Sequence, residues 1–117
     1  MRIIIVEDDK VLSLLLSKMI DRLGHEILEV ITKGSDAIEQ IEKLQPDLVL
    51  MDIMLEDDID GITAMKNLRE KGFTSPVIYI TGNSDPVNFE RAKETDFTDY
   101  LIKPVGFDEL KETILKA

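Results

Sequence analysis

Short apolar runs alternate with longer amphipathic stretches along the chain. Residues 3–6 and 48–51 contain no polar side chain, and such runs are typical of strands that are buried on both faces. Three further runs, at 26–32, 77–81 and 98–102, are also predicted to be strands. Strands without polar alternation indicate a parallel sheet that helices cover on both sides.

The stretches between these runs carry apolar residues at helical spacing. They predict helices at about 9–23, 35–44, 61–71 and 86–94, and a last one from Phe107 onwards. Residue types that begin or end helices flank them: Asp9, Gly24, Ser35, Pro46, Asp60, Gly72 and Asp85. The order βαβαβαβαβα predicts one α/β domain over residues 1–117, a (βα)5 sandwich with a doubly wound, five-stranded parallel sheet.

Polar residues follow the predicted strands, at the edge where a doubly wound sheet binds its ligands. These residues are Glu7, Asp8, Asp9, Asp52, Thr81 and Lys103. The acids after the first strand stand where a dinucleotide-binding fold has a glycine-rich turn, so nucleotide binding is disfavoured. Converging carboxylates raise one another's pKa or recruit a hard cation, and oxygen ligands with an open face suit Mg²⁺. Carboxylate, metal, ammonium and hydroxyl groups together can hold a phosphoryl group on an aspartate.

The charge balance limits the partners of the domain. There are 24 acidic and 14 basic side chains, a net charge of −10, which argues against a nucleic acid or an anionic membrane as a direct partner. With no cysteine and a single histidine, His25, the chain has neither a disulfide framework nor a thiolate or multi-histidine metal site. No apolar run approaches the ~20 residues of a membrane span. The chain is therefore expected to be a soluble, cytoplasmic domain.

Four motifs, VEDD, LMDIM, YITG and DYLIKP, lie at the ends of four predicted strands. In this order and spacing they resemble the signatures of the response-regulator receiver domain of two-component signalling, over essentially the whole chain. The resemblance implies a flavodoxin-like sheet with strand order 2-1-3-4-5. It also implies that Asp52 accepts a phosphoryl group from a histidine kinase or a phosphotransfer protein. Such a domain is a signalling switch with slow self-dephosphorylation, and not an enzyme.

The resemblance also implies a metal site. Glu7 and Asp8 are the acidic pair that binds Mg²⁺, together with Asp52 and the backbone carbonyl of Met54. The side chains of Met54 and Asn83 flank the path of an attacking water. We therefore predict that substitutions at these two positions change the lifetime of the phosphate more than the stability of the fold.

A conformational switch is implied by the same resemblance. Lys103 contacts the phosphate, and the peptide bond between Lys103 and Pro104 is cis. On phosphorylation Thr81 moves onto the phosphoryl group and Tyr100 turns inward, so that the face of the fourth helix, fifth strand and fifth helix changes its partners. The output is left open between a downstream protein and a covalently linked domain. A phosphorylation-dependent homodimer is considered too, although the last helix lacks the arginine-rich pattern of receivers that dimerise in this way.

The chain departs from the commonest receiver pattern away from the phosphorylation site. The loop after Asp52 is one residue longer and lacks a proline near Glu56. Three further departures are Gly82 in place of alanine, Asp96-Phe97 in place of a small Gly-Ala pair, and Val105 in place of a phenylalanine. These positions bear on the output face and on the timing of the switch.

The acidic loop that follows Asp52 has other interpretations. An EF-hand calcium loop is rejected because Glu56 stands where the motif has aspartate, and Asn67 where it needs a bidentate glutamate. Residues 56–58, Glu-Asp-Asp, are instead predicted to be a solvated loop tip, and Asp60 a helix cap.

Two other functions compete with the phosphorylated switch. One is a receiver-like interaction module that no longer uses phosphate, and the complete set of Asp8, Asp52, Thr81 and Lys103 argues against it. The other is a metal-dependent phosphohydrolase with an aspartyl nucleophile. Such enzymes need a second carboxylate, commonly two residues after the nucleophile, where this chain has Met54. The switch is therefore the favoured interpretation.

Overall fold

The computed structural model describes residues 1–82 and 85–117, in which five strands alternate with five helices. The strands are β1 (Arg2–Val6), β2 (Glu26–Ile31), β3 (Leu48–Met51), β4 (Val77–Thr81) and β5 (Asp99–Ile102). The helices are α1 (Lys10–Arg22), α2 (Gly34–Leu44), α3 (Gly61–Glu70), α4 (Pro86–Lys93) and α5 (Phe107–Leu115). The predicted order of elements is confirmed.

The strands form one parallel sheet in the order β2-β1-β3-β4-β5, as the flavodoxin-like prediction requires. The register pairs Val6 with Met51 and Thr81 with Ile102. The carboxyl ends of β1, β3, β4 and β5 therefore lie side by side at one edge of the sheet, which is where the polar residues follow.

Two apolar cores explain why the strands lack polar alternation. Successive side chains of a strand point to opposite faces, so Ile4 and Val6 join a core with α2, α3 and α4, whereas Ile3 and Ile5 join a core with α1 and α5. All four side chains are buried. No helix within the described residues is long and apolar enough to cross a membrane.

The helix boundaries follow the capping residues that the sequence offers. Asp9, Asp60 and Asp85 each accept a backbone N–H from two or three residues further along, and so cap α1, α3 and α4 as predicted. Gly24 and Gly72 have φ angles of 84° and 92°, the left-handed conformation that ends a helix without a steric cost to glycine.

The predicted cap of α2 at Ser35 is wrong. The helix begins at Gly34, so the residue before it is Lys33, two positions before Ser35, and the Lys33 side chain makes no capping hydrogen bond. The N–H groups of Gly34 and Ser35 donate instead to the Asp57 carboxylate, at 2.7 and 3.0 Å. Asp57 reaches them from the loop after β3, so the prediction that all of residues 56–58 are a solvated tip is wrong for this residue.

Candidate functional site

The predicted site residues meet where four strands end. Glu7 and Asp8 follow β1, Asp52 follows β3, Thr81 ends β4 and Lys103 follows β5. Glu7, Asp52 and Thr81 are buried. Beside them opens a cleft of about 300 Å³, and its described lining consists of Asp8, Asp9, Asp52, Met54, Thr81, Gly82 and Lys103.

Lys103 connects two of the acids. Its Nζ lies 2.9 Å from Asp52 Oδ2 and 2.8 Å from Glu7 Oε1. The two acids are only 4% and 2% exposed, so water screens these ion pairs weakly. Burial by itself would lower the pKa of Lys103, but the contacts with Glu7 and Asp52 outweigh it and the pKa is raised. The lysine is therefore a fixed positive charge beside Asp52.

The three carboxylates crowd one another. One oxygen each of Glu7, Asp8 and Asp52 lies within 4.8 Å of the others. Burial raises the pKa of Glu7 and contact with Asp52 raises it further, while burial and contact with Glu7 raise the pKa of Asp8. Glu7 Oε1 has the ion pair with Lys103 but no hydrogen bond of good geometry among the described residues. A nearby cation stabilises the ionised form of buried carboxylates that lie close together.

This donor set fits Mg²⁺, which prefers hard oxygen ligands and typically binds one or two carboxylates while it keeps several waters. Asp9 has a different role, although it lines the cleft. Its Oδ1 accepts the N–H groups of Val11 and Leu12 at 2.9 and 3.1 Å, and its own N–H donates to Glu7 Oε2 at 3.1 Å. Asp9 thus caps α1 and orients Glu7.

The backbone around Asp52 is held from several sides. The N–H of Asp52 donates to the Val6 carbonyl at 2.9 Å, and the N–H of Ile53 donates to Asp52 Oδ1 at 2.7 Å. A Cβ at Gly61 would collide with the Asp52 carbonyl oxygen, so only glycine lets α3 begin so close to this residue. This role of Gly61 was not predicted from the sequence. A glycine directly after a helix cap, where a left-handed φ is not needed, is the signal that could have found it.

The other predicted residues of the site lie around the same cleft. Thr81 is buried at the end of β4, whereas the Met54 side chain is 67% exposed. The peptide bond between Lys103 and Pro104 is cis. Asn83 lies outside the described residues.

Tyr100, which was predicted to turn inward on phosphorylation, already packs inward in this structure, in an aromatic cluster on the α4 side of the sheet. Its ring centroid lies 5.1 Å from that of Phe89, 5.8 Å from that of Phe97 and 6.0 Å from that of Tyr79. No described residue offers its buried hydroxyl a hydrogen-bond partner. Burial, with a smaller contribution from the negative charge of Asp85, raises the pKa of Tyr100. Phe97, which departs from the common receiver pattern, supplies part of this packing.

A polar contact joins α4 to the loop that follows Asp52. Arg91 Nη1 lies 2.9 Å from Asp60 Oδ2, and Arg91 Nη2 lies 3.3 Å from Thr63 Oγ1. Burial tends to raise the pKa of Asp60, but hydrogen bonds from Arg91 and from the N–H of Thr63 lower it overall. Asp60 was predicted to be a helix cap, but its contact with Arg91 was not predicted, because the two residues are 31 positions apart in the sequence.

Comparisons with known proteins agree on one family. The model of the response regulator receiver domain matches residues 3–115. The signal receiver domain of a modulated diguanylate cyclase from Desulfovibrio desulfuricans is 35% identical, with a TM-score of 0.91, over 99% of this chain and 91% of that one. The receiver domain of a sensor histidine kinase from Pseudomonas aeruginosa, with a magnesium ion coordinated in its active site cleft, is 27% identical, with a TM-score of 0.88, over 98% and 94%.

Curated relatives are similar to this chain over part of their length. The transcriptional regulatory protein ZraR of Escherichia coli is 32% identical over 115 residues, which are 98% of this chain and 26% of that protein. The transcriptional regulatory protein DltR of Streptococcus agalactiae is 32% identical over 110 residues, 94% of this chain and 48% of that protein. The chain thus spans about half the length of such relatives, or less.

Proposed function

We propose that this chain, which belongs to the response regulator receiver domain family, accepts a phosphoryl group on Asp52 and acts as a phosphorylation-dependent switch. The observation that supports this most is the Lys103 ammonium group, 2.9 Å from Asp52 Oδ2 in a cluster of three acids, of which Glu7 and Asp52 are buried. A carboxylate that borders an open cleft beside a fixed positive charge is suited to attack an incoming phosphoryl group.

The proposed donor is a phosphohistidine of a histidine kinase or of a phosphotransfer protein. A lone pair of the Asp52 carboxylate forms a bond to phosphorus, while the P–N bond to the imidazole breaks and leaves its electron pair on nitrogen. Lys103 stabilises the negative charge on the phosphoryl oxygens. Glu7, Asp8, Asp52 and the Met54 carbonyl would hold Mg²⁺, which supplies a Lewis acid that neutralises further charge on those oxygens.

The switch is proposed to run from the phosphoryl group to the face of α4, β5 and α5. Thr81, at the end of β4, would bind the phosphoryl group with its hydroxyl, and β4 and β5 are paired next to it. Tyr100 lies on β5 under Phe89 of α4, so a shift at this edge reaches α4 through the aromatic cluster. The partner of this face would be a downstream protein, a covalently linked output domain or a second copy of the chain.

The phosphate on Asp52 is expected to hydrolyse slowly. The residue two positions after Asp52 is Met54, which has no carboxylate to activate a water. A long-lived phosphate suits a signal better than it suits enzymatic turnover. Substitutions at Met54 and Asn83 should alter this lifetime.

The test is an intact mass measurement after incubation with acetyl phosphate and Mg²⁺. Wild type should gain one phosphoryl group and lose this ability when the metal is chelated beforehand. Asp52→Asn should gain none. The matched control, Asp58→Asn, removes an acid from the same loop and should react like wild type. A folded wild type that stays unmodified with both acetyl phosphate and a phosphohistidine donor would overturn the proposal and favour a phosphate-independent interaction module.

A further inference from the structure

The loop between Asp52 and α3 is fastened at its base and at its tip. At the base, the N–H of Gly61 donates to the Ile53 carbonyl at 2.8 Å. At the tip, both carboxylate oxygens of Asp57 accept backbone N–H groups at the start of α2, from Gly34 and Ser35. Residues 54–56 lie between these two attachments.

The attachment at the tip is strong for a surface contact. The first N–H groups of a helix have no partner within the helix, and a negative charge there is further stabilised by the helix dipole. Lys33, the residue before α2, makes no capping hydrogen bond with its own side chain. The N–H groups of Ser35 and Gly34 accordingly lower the pKa of Asp57.

Two further contacts press the same loop against the junction of β2 and α2. The N–H of Glu56 donates to the Thr32 carbonyl at 3.1 Å, and Thr32 Oγ1 donates to Glu56 Oε2 at 3.1 Å. A Cβ at Gly34 would collide with the carbonyl oxygen of Ile59. These contacts fix the position of the loop against α2. Among the described residues, Asp57 is the only charged side chain of the loop that hydrogen-bonds to this helix.

We propose that Asp57 is a positioning residue for the metal site, and that its cap on α2 holds the backbone of the loop at Met54 in place for Mg²⁺. This inference rests on the proposed function, in which the Met54 carbonyl is a ligand. Met54 is three residues from Asp57 and lines the cleft together with Asp52 and Lys103. Without the cap, the loop would have to become ordered when Mg²⁺ binds. The free energy of this ordering would lower the affinity for Mg²⁺.

The experiment is a calorimetric Mg²⁺ titration of four proteins: wild type, Asp57→Ala, Asp57→Asn and Asp58→Ala. Asp57→Ala should weaken Mg²⁺ binding about five-fold, the factor that corresponds to loss of a typical helix cap. Asp57→Asn keeps one acceptor oxygen but places a donor NH2 group opposite the second helix N–H, so its affinity for Mg²⁺ should lie between those of wild type and Asp57→Ala. Asp58 is exposed and makes no hydrogen bond or ion pair among the described residues, so Asp58→Ala corrects for the loss of one negative charge.

A measurement on wild type alone guards against a variant that fails to fold. Because coupling between two events is reciprocal, Mg²⁺ should slow hydrogen exchange at the Gly34 and Ser35 amides by about the same five-fold factor. The Val87 amide, which Asp85 caps at 2.8 Å on α4, is the internal reference and should change less.

The outcomes separate this inference from the proposed function. If wild type binds Mg²⁺ and Asp57→Ala binds it as tightly as Asp58→Ala does, the cap only stabilises α2 and the inference is overturned, while the proposed function stands. Unchanged exchange at Gly34 and Ser35 overturns it in the same way. If wild type shows no saturable Mg²⁺ binding at all, the inference and the metal-assisted function are both overturned.

Discussion

The tripeptide Glu-Asp-Asp occurs twice in this chain, at residues 7–9 and at residues 56–58, and the two copies have different structures. In the first copy Glu7 is 2% exposed and Asp9 caps α1. In the second copy the glutamate and the last aspartate are exposed, and the middle residue, Asp57, caps α2.

Position in the fold explains the difference. The first copy directly follows β1. Its glutamate, Glu7, is therefore buried at the carboxyl edge of the sheet, beside Lys103 and Asp52. The second copy lies within a loop, where Glu56 hydrogen-bonds to Thr32 and Asp57 accepts the first N–H groups of α2. Identical acids thus become a candidate ligand, a cap or a solvated side chain, according to which donors surround them.

The largest expected effect comes from removing the cation that serves the first copy. Lys103→Met should lower the free energy of unfolding by about 3 kcal/mol in the absence of Mg²⁺, because it leaves two buried carboxylates without their partner. Added Mg²⁺ should recover much of that loss, since it supplies positive charge at the same place. Urea unfolding with chelator and with Mg²⁺ measures both quantities.

Lys71→Met is the matched control for Lys103. Lys71 pairs with Glu42 at 3.0 Å, but both side chains are about half exposed, and exposed pairs contribute about 1 kcal/mol or less. Equal losses for the two substitutions would mean that burial of Glu7 and Asp52 does not set the strength of the Lys103 contacts.

The next largest effect concerns the cap of the second copy and its pH dependence. Asp57→Ala should cost about 1 kcal/mol of stability at neutral pH, as for a typical helix cap. The pKa of Asp57 lies below its ordinary value of 3.8, chiefly because of the Ser35 N–H. The charge therefore contributes its full stability above that ordinary value, and this contribution disappears as the pH falls through the lowered pKa. Urea unfolding of both proteins from neutral to acidic pH should show the difference shrinking; a constant difference would contradict this.

The distance along the chain between partners decides what the sequence could predict. Asp9, Asp60 and Asp85 cap N–H groups two or three residues away. The apolar runs that form the strands are also local in the sequence, so these helix caps and the strands were predicted. Asp57 and Gly34 are 23 residues apart, and neither carries a local sign of the contact. Because the carboxyl ends of parallel strands share one edge, the acids, Thr81 and Lys103 were predicted to meet there. The contact of Arg91 and the ring packing around Tyr100 depend on how helices and strands pack together, which the position of strand ends does not predict.

A smaller effect is expected at the cap of the first copy. Asp9→Asn keeps a good helix cap but removes a negative charge beside Glu7 and Asp8. Without Mg²⁺ it should therefore stabilise the protein, by about 0.5 kcal/mol, the usual size of relieved repulsion between neighbouring like charges. Asp85→Asn caps α4 away from the acid cluster and is the control, with no expected gain. A loss of stability in Asp9→Asn would mean that its charge is needed for the cap itself.

The smallest effect is expected at Asp58, the last residue of the second copy. Its counterpart Asp9 accepts two N–H groups, whereas Asp58 is exposed and has no hydrogen bond or ion pair within the described part of the chain. Asp58→Asn should therefore change the free energy of unfolding by no more than about 0.5 kcal/mol. Urea unfolding beside Asp57→Ala measures the contrast between two adjacent aspartates. If the two substitutions cost the same, net charge of the loop and not the hydrogen bonds of Asp57 would stabilise this region, and the distinction between the two tripeptides would be lost.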